Sequence, residues 1–290
     1  MSLDFEALGS YPGPDRVVHF TDYLAAVAKI GSSVQRFQCG FEKFNQKIEG
    51  LETGEVAVVT GYTKNGKTLF AESWLRSMTL ANPAMCPVIF SFELQPQKLL
   101  AKYQADPQHP VFLPLQLKTM SFDWLLERCL EAKLKHHAQA ILIDHLHFLV
   151  DMNTRQNMSL NIGAFMRSLK HEIAKGLNMA VILIAHQGQP KENQRANLGG
   201  LRDSSFIAQE SDMVIVVSRK QDLSPVEMKD YEIQGLPYVK LEKLKRPIEA
   251  DPDDRYSTGL AIVEVSVARR SGAYQWEKLF KKVGNWVEEI

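Results

Sequence analysis

From Gly54 onward, short apolar runs alternate with longer stretches in which apolar residues recur every three or four positions. The runs Glu55–Thr60, Pro87–Phe92, Ala140–Asp144, Ala180–Ala185, Met213–Ser218, Tyr238–Leu241 and Gly259–Val267 have the length and apolar content of buried strands. Helical spacing spans Lys67–Met78, Phe122–Leu134 and Ile162–Leu177. In the last of these, Ile162, Phe165, Met166, Leu169, Ile173 and Leu177 fall on one face. Continuous apolar strands separated by amphipathic helices predict α/β crossovers and a mostly parallel sheet flanked by helices. The β-rich tail after Tyr238 predicts an antiparallel extension of that sheet.

The first 38 residues read differently. Tyr11-Pro12-Gly13-Pro14 is a loop, and Phe20 to Ile30 places Tyr23, Leu24, Val27 and Ile30 on one helical face, with Thr21 or Asp22 as its start. That face packs either on its own chain or on a neighbouring subunit. The expected organisation is an N-terminal arm over 1–38 and one α/β core over 39–290.

Bulk composition narrows the setting. Lys plus Arg equals Asp plus Glu, 34 each, so nucleic-acid contact would have to come from a local patch. Cys39, Cys86 and Cys129 are odd in number and widely spaced, which argues against a disulfide framework and for a reducing, intracellular compartment such as the cytoplasm. The first ten residues lack the apolar run of a signal peptide, and no stretch is long enough for a membrane helix, so no membrane partner is expected.

The chemistry begins at Gly61-Tyr62-Thr63-Lys64-Asn65-Gly66-Lys67-Thr68, followed by Leu69, which matches the phosphate-binding pattern G-x-x-x-x-G-K-[ST] at every fixed position. A predicted strand enters it and a helix leaves it. Gly61 and Gly66 let the backbone curl so that its N–H groups face phosphate at the positive end of the helix. Lys67 supplies a cation to the outer phosphates of ATP, and the Thr68 hydroxyl is a ligand for Mg²⁺. A second metal-holding acid is expected at the end of another buried strand, where Asp144 stands. Glu93 ends a third such run and is placed to polarise the attacking water; His186-Gln187 ends a fourth. His145 and His147 lack companions with zinc spacing and read as structural. No Ser-His-Asp order or reactive cysteine context supports an ester or peptide hydrolase.

With these residues in place, the chain from about Gly40 to Val287 resembles the RecA-like ATPase domain of DnaB-type replicative hexameric helicases. Val88-Ile-Phe-Ser-Phe-Glu-Leu94 looks like the family's strand ending in the catalytic Glu. Ile141-Leu-Ile-Asp-His-Leu-His-Phe-Leu149 is similar to its Walker B strand, and Ile182-Leu-Ile-Ala-His-Gln187 to the strand ending in its sensing Gln. The run Leu201 to Asp212 resembles the family's Leu-Arg-(acid)-Ser-Gly-x-Ile-Glu-Gln-Asp-Ala-Asp stretch, with Ser205 in place of the Gly.

The resemblance implies that Glu93 activates water, Asp144 supports Mg²⁺ and Gln187 senses the γ-phosphate. It also implies a ring, most simply a hexamer, on single-stranded DNA, contacted by loops carrying Arg155, Lys191 and Arg195. A primase or a helicase loader joins the implied partners. Near the C-terminus Arg270 occupies the position that reaches a neighbouring subunit's ATP, whereas Ala268 replaces the family's Lys. About 40 residues before the core leave no room for the family's N-terminal domain. The arm helix stands where the family has the helix that links neighbours. The acidic run over 247–258 has no evident purpose. Two other functions stay open on the sequence alone: a RecA- or KaiC-like ATPase that binds DNA without unwinding it, and a nucleotide-gated binding or loading protein with negligible turnover.

Overall fold

The computed structural model describes residues 17–22, 34–92, 102–104, 111–117, 121–146, 158–187, 196, 198, 205–219 and 260–290. Two compact units are present, one ending at Gln35 and one running from Arg36 to Ile290. In the first, Phe20 opens a helical turn and residues 17–22 are exposed. Most of the predicted arm helix lies outside the described residues, as do Tyr238–Leu241, the acidic run and His147.

The second unit is built on an eight-stranded sheet. Its described elements are β1 (Arg36–Phe37), α1 (Glu42–Ile48), β2 (Leu51–Glu52), β3 (Val56–Gly61), α2 (Lys67–Ala81), β4 (Pro87–Ser91), α3 (Phe122–His136), β5 (Ala140–Asp144), α4 (Met158–Ser168), β6 (Ala180–His186), α5 (Ser205–Glu210), β7 (Met213–Arg219), β8 (Leu260–Ala268), β9 (Ala273–Val283) and β10 (Trp286–Glu289). The large sheet runs β10-β9-β8-β7-β3-β6-β5-β4, and β1 pairs with β2 in a separate small ribbon. Strands β7, β3, β6, β5 and β4 are parallel; β8, β9 and β10 extend the β7 edge antiparallel. This is the RecA-like arrangement predicted, with the antiparallel extension in place.

Strand alternation sorts the core into two layers. Ala57, Val59, Leu142, Ile182 and Ile184 face α1 and α2, where Phe44, Phe70, Trp74 and Phe280 form an edge-to-face aromatic cluster. Val56, Val58, Ile141, Ile143, Leu183 and Ala185 face α3 and α4. Every residue of β3 and β5 is buried, as expected for central strands covered on both faces. Ser121 caps α3 by accepting from Trp124 N–H at 3.2 Å, and His137 ends it in the left-handed region.

The predicted helix Ile162–Leu177 is found as α4 continuing into a π-helical segment, Leu169–Gly176. Apolar spacing alone does not separate the two, because both bury Ile162, Phe165, Met166, Leu169 and Ile173. The sequence pattern did not delineate α1, β9 or β10. In β9 the burial pattern breaks alternation at Lys278, Leu279 and Phe280, all buried in succession, so the period of two is lost.

Candidate nucleotide site

β3 delivers the chain to the phosphate loop at the C-terminal edge of the parallel strands. Gly61 has φ 151, and a Cβ there would stand 2.2 Å from the Val217 carbonyl oxygen of β7, so no side chain fits. Lys64 at φ 66 and Gly66 at φ 86 complete the curl, and Gly66 is the residue that opens α2. Tyr62, Asn65, Thr68 and Leu69 are half-buried, whereas Thr63 and Lys64 are exposed. Lys67 is buried, and its ammonium donates to the Tyr62 carbonyl at 2.8 Å, folding the loop around the cation.

Strand parity decides what else faces this loop. Ser91, Asp144 and His186 occupy the same sheet face as Ile89, Leu142 and Ile184, the face covered by α2. Asp144 is 1% exposed, is paired in register with Ser91, and its carbonyl accepts from Phe92 N–H at 2.7 Å. The parallel ladder aligns His186 with Gly61. Gln187 is buried one residue further on, with its backbone N–H donating to the Gly61 carbonyl at 3.2 Å. Parity therefore turns His186 toward the α2 face. The sequence puts both His186 and Gln187 at this strand end, and the resemblance gives Gln187 the sensing role.

His145 and His186 meet edge to face, their ring centroids 4.2 Å apart. Burial pushes the His145 pKa below its ordinary value, and the nearby Lys67 charge pushes it the same way. His145 is thus biased toward the neutral imidazole, which donates and accepts hydrogen bonds without adding charge. His145 is therefore packed on His186 and within electrostatic reach of Lys67. His136 is elsewhere, stacked on Phe112.

The residues present fit Mg²⁺ with a nucleoside triphosphate. A helix N-terminus opened by a left-handed glycine, a buried lysine, a hydroxyl at Thr68 and a buried carboxylate at Asp144 are a donor set of hard oxygens beside phosphate-binding N–H groups. Among the described residues no cluster of three or more His, Cys, Asp or Glu forms a separate metal site, and no helix is long and apolar enough to cross a membrane. Glu93, Arg155, Lys191 and Arg195 lie outside the described residues.

The most family-like run of the sequence serves the same strand from behind. In α5, Phe206 packs so tightly on Gly163 that a Cβ there would meet its ring at 2.9 Å. Asp212 accepts from Val56 N–H at 2.7 Å, fixing the start of β3, and pairs with Lys170 of the π-helical segment. Arg269 and Arg270 sit in the β8–β9 turn. Arg269 donates to the carbonyls of Ala208, Gln209 and Ser211 at the end of α5. Arg270 is bonded within its own chain, its Nε to Glu55 at 2.8 Å. Ala268 is 3% exposed and packed in the core, where burying a lysine ammonium would be costly.

A phosphate loop at the C-terminal edge of a RecA-like sheet, with a buried acid at the end of β5 two strands away, defines a P-loop nucleotide-binding fold. More particularly, residues 97–236 match the model of the DnaB-like helicase C terminal domain, a stretch that begins after the phosphate loop. Two solved structures share the fold. The chain is similar to the ATPase domain of G40P (TM-score 0.67, 14% identity, 95% of this chain and 100% of that one). It is also similar to a DnaB-like replicative helicase whose structure is described with its interactions with primase (TM-score 0.63, 15% identity, 98% of this chain and 69% of that one). The resemblance read from the sequence is thereby matched over 97–236, and the two solved structures share its RecA-like fold.

Proposed function

We propose that this protein is an ATP-driven motor that translocates on single-stranded DNA as a hexameric ring and unwinds duplex ahead of it. The observation that carries the reading is the gathering of the phosphate loop, Asp144 and His186 on one face of one sheet edge, in a chain whose 97–236 stretch matches a helicase domain.

In this reading Gly61 to Leu69 wrap the phosphates and Lys67 trades the Tyr62 carbonyl for phosphate oxygens. Thr68 and Asp144 hold Mg²⁺, which when bound neutralises charge on the phosphates. Glu93 accepts a proton from the attacking water. His186, supported by His145, is the strand-end group that meets the γ-phosphate, with Gln187 behind it relaying the state of the site to the loop that follows. Arg155, Lys191 and Arg195 contact DNA phosphates. Arg270 acts in trans. Its turn adjoins the start of β7, since Ala268 pairs with Met213, and Met213 is level with Ala57 at the entry end of β3. The phosphate loop is at the other end, more than ~13 Å along the strand, so only another copy's nucleotide is within its reach. A primase or a loader is the expected protein partner.

The test is ATP hydrolysis at fixed low salt with and without single-stranded DNA, for wild type and Glu93→Gln. Stimulation by DNA of about tenfold or more, lost in the variant, is the expected result. A slow rate unchanged by DNA would replace the motor with a nucleotide-gated binding protein.

A further inference from the structure

The guanidinium of Arg270 is enclosed by its own chain. Nε donates to Glu55 at 2.8 Å, Nη2 to the carbonyls of Gly50 at 2.8 Å and Ile48 at 3.3 Å, and Nη1 to that of Glu49 at 3.3 Å. Carboxylate oxygens of Glu52 and Glu49 stand 3.6 Å from Nε and Nη1, respectively. Four donor contacts leave little of an arginine's five N–H groups for anything else. An arginine so held cannot at the same time grip a phosphate on another molecule.

The receptor for Arg270 is not a buried charge trap that collapses when it leaves. Glu55 also accepts from Glu52 N–H at 2.8 Å, through its other oxygen. Glu52 also accepts from Arg36 Nε at 2.6 Å. Glu49 is 56% exposed at its side chain and can be hydrated. Each carboxylate therefore keeps a partner or water after the arginine departs, so the cost of vacating the cradle is that of exchanging contacts, not of stranding a charge.

We infer that Glu49, Glu52 and Glu55 are positioning residues that hold Arg270 in cis in the lone subunit and yield it to a second copy's nucleotide on assembly. The inference rests on the trans role of Arg270 given above. The cradle and the terminal phosphates compete for one guanidinium, and the apparent affinity of assembly is reduced by the fraction of subunits whose arginine is held. Assembly and turnover are thus linked through three acids between the end of α1 and the start of β3.

ATP turnover per subunit, followed against protein concentration with single-stranded DNA present, tests this in wild type, Glu55→Gln and Arg270→Ala. Glutamine keeps a hydrogen-bond acceptor for Glu52 N–H and removes the charge. Wild-type turnover per subunit rises with concentration and Arg270→Ala abolishes the rise; this pair of curves tests the trans reading by itself. Glu55→Gln then reaches half-maximal turnover at a concentration lower by about three- to tenfold, with its plateau unchanged. Glu49→Gln, at the most exposed of the three acids, moves the midpoint the same way by about twofold and serves where Glu55→Gln melts early. Midpoints that stay put or move to higher concentration in both variants overturn the cradle, the latter marking Glu55 as a mere scaffold. A wild-type curve flat in concentration overturns the trans reading and the cradle with it.

Discussion

Single residues at the phosphate loop carry separable tasks. Gly61 is fixed by contact with β7 as much as by its φ, since any Cβ lands on the Val217 carbonyl. Gly61→Ala should lower stability by about 2–4 kcal/mol and weaken nucleotide binding, read by thermal melting with and without ATP. The two strand-end side chains of β6 differ in what they face. His186→Ala should lower kcat by about 100-fold with little change in KM, as expected for loss of a hydrogen bond made to developing charge. Gln187→Ala should lower kcat by less than about tenfold while reducing DNA stimulation. Steady-state kinetics on both variants decides between them, and equal loss at both positions would remove the parity argument.

Elements around the site are tied by a few polar contacts across otherwise apolar layers. Asp212 links the end of α5 to the first N–H of β3 and to Lys170, so Asp212→Ala leaves a backbone donor and an ammonium without their acceptor. A loss of about 2–3 kcal/mol follows, measurable by denaturant unfolding, with Asp212→Asn intermediate. On the opposite layer, Lys278 of β9 is buried beside Lys43 of α1, and burial first, then Lys43, pushes its pKa down to about 8. The fold thus favours the neutral amine. The stability due to that preference is full above the ordinary lysine pKa and is lost as pH falls toward 8. Lys278→Met should therefore be more stable than wild type at pH 7, by roughly 1 kcal/mol, with the advantage shrinking as pH rises toward 10. Melting temperatures across that range test it.

At the scale of the whole molecule, the unit from Arg36 to Ile290 closes on itself. Glu289 of the last strand accepts from the Lys43 and Phe44 N–H groups at 2.8 Å, and Val287 N–H reaches Ser73 of α2 at 3.0 Å. Lys102 pairs with the buried Glu72 and lies over the Trp286 ring. These contacts tie the C-terminal strands to α1 and to α2, the helix that leaves the phosphate loop. A chain shortened to residues 36–290 should consequently fold, melting within a few degrees of the full chain, whereas removal of β10 should cost most of the stability. Calorimetry of the two truncations checks both statements.

How much of this was legible in the residue order follows from range. The strands of the parallel sheet, α2, α3, the phosphate loop and the buried acid Asp144 are each written in local signals: a period of two or 3.6, a glycine pattern, an acid closing an apolar run. Their order along the chain also implied the crossovers. Three things were decided by tertiary structure alone. The α-to-π change after Ser168 leaves the apolar face intact and so leaves no trace in spacing. That His186 turns to the α2 face depends on which side of the sheet α2 covers, a fact about packing between distant elements. The capture of Arg270 by Glu55, over 200 positions earlier, depends on an antiparallel turn returning to the entry end of β3, and no local pattern encodes a partner at that separation.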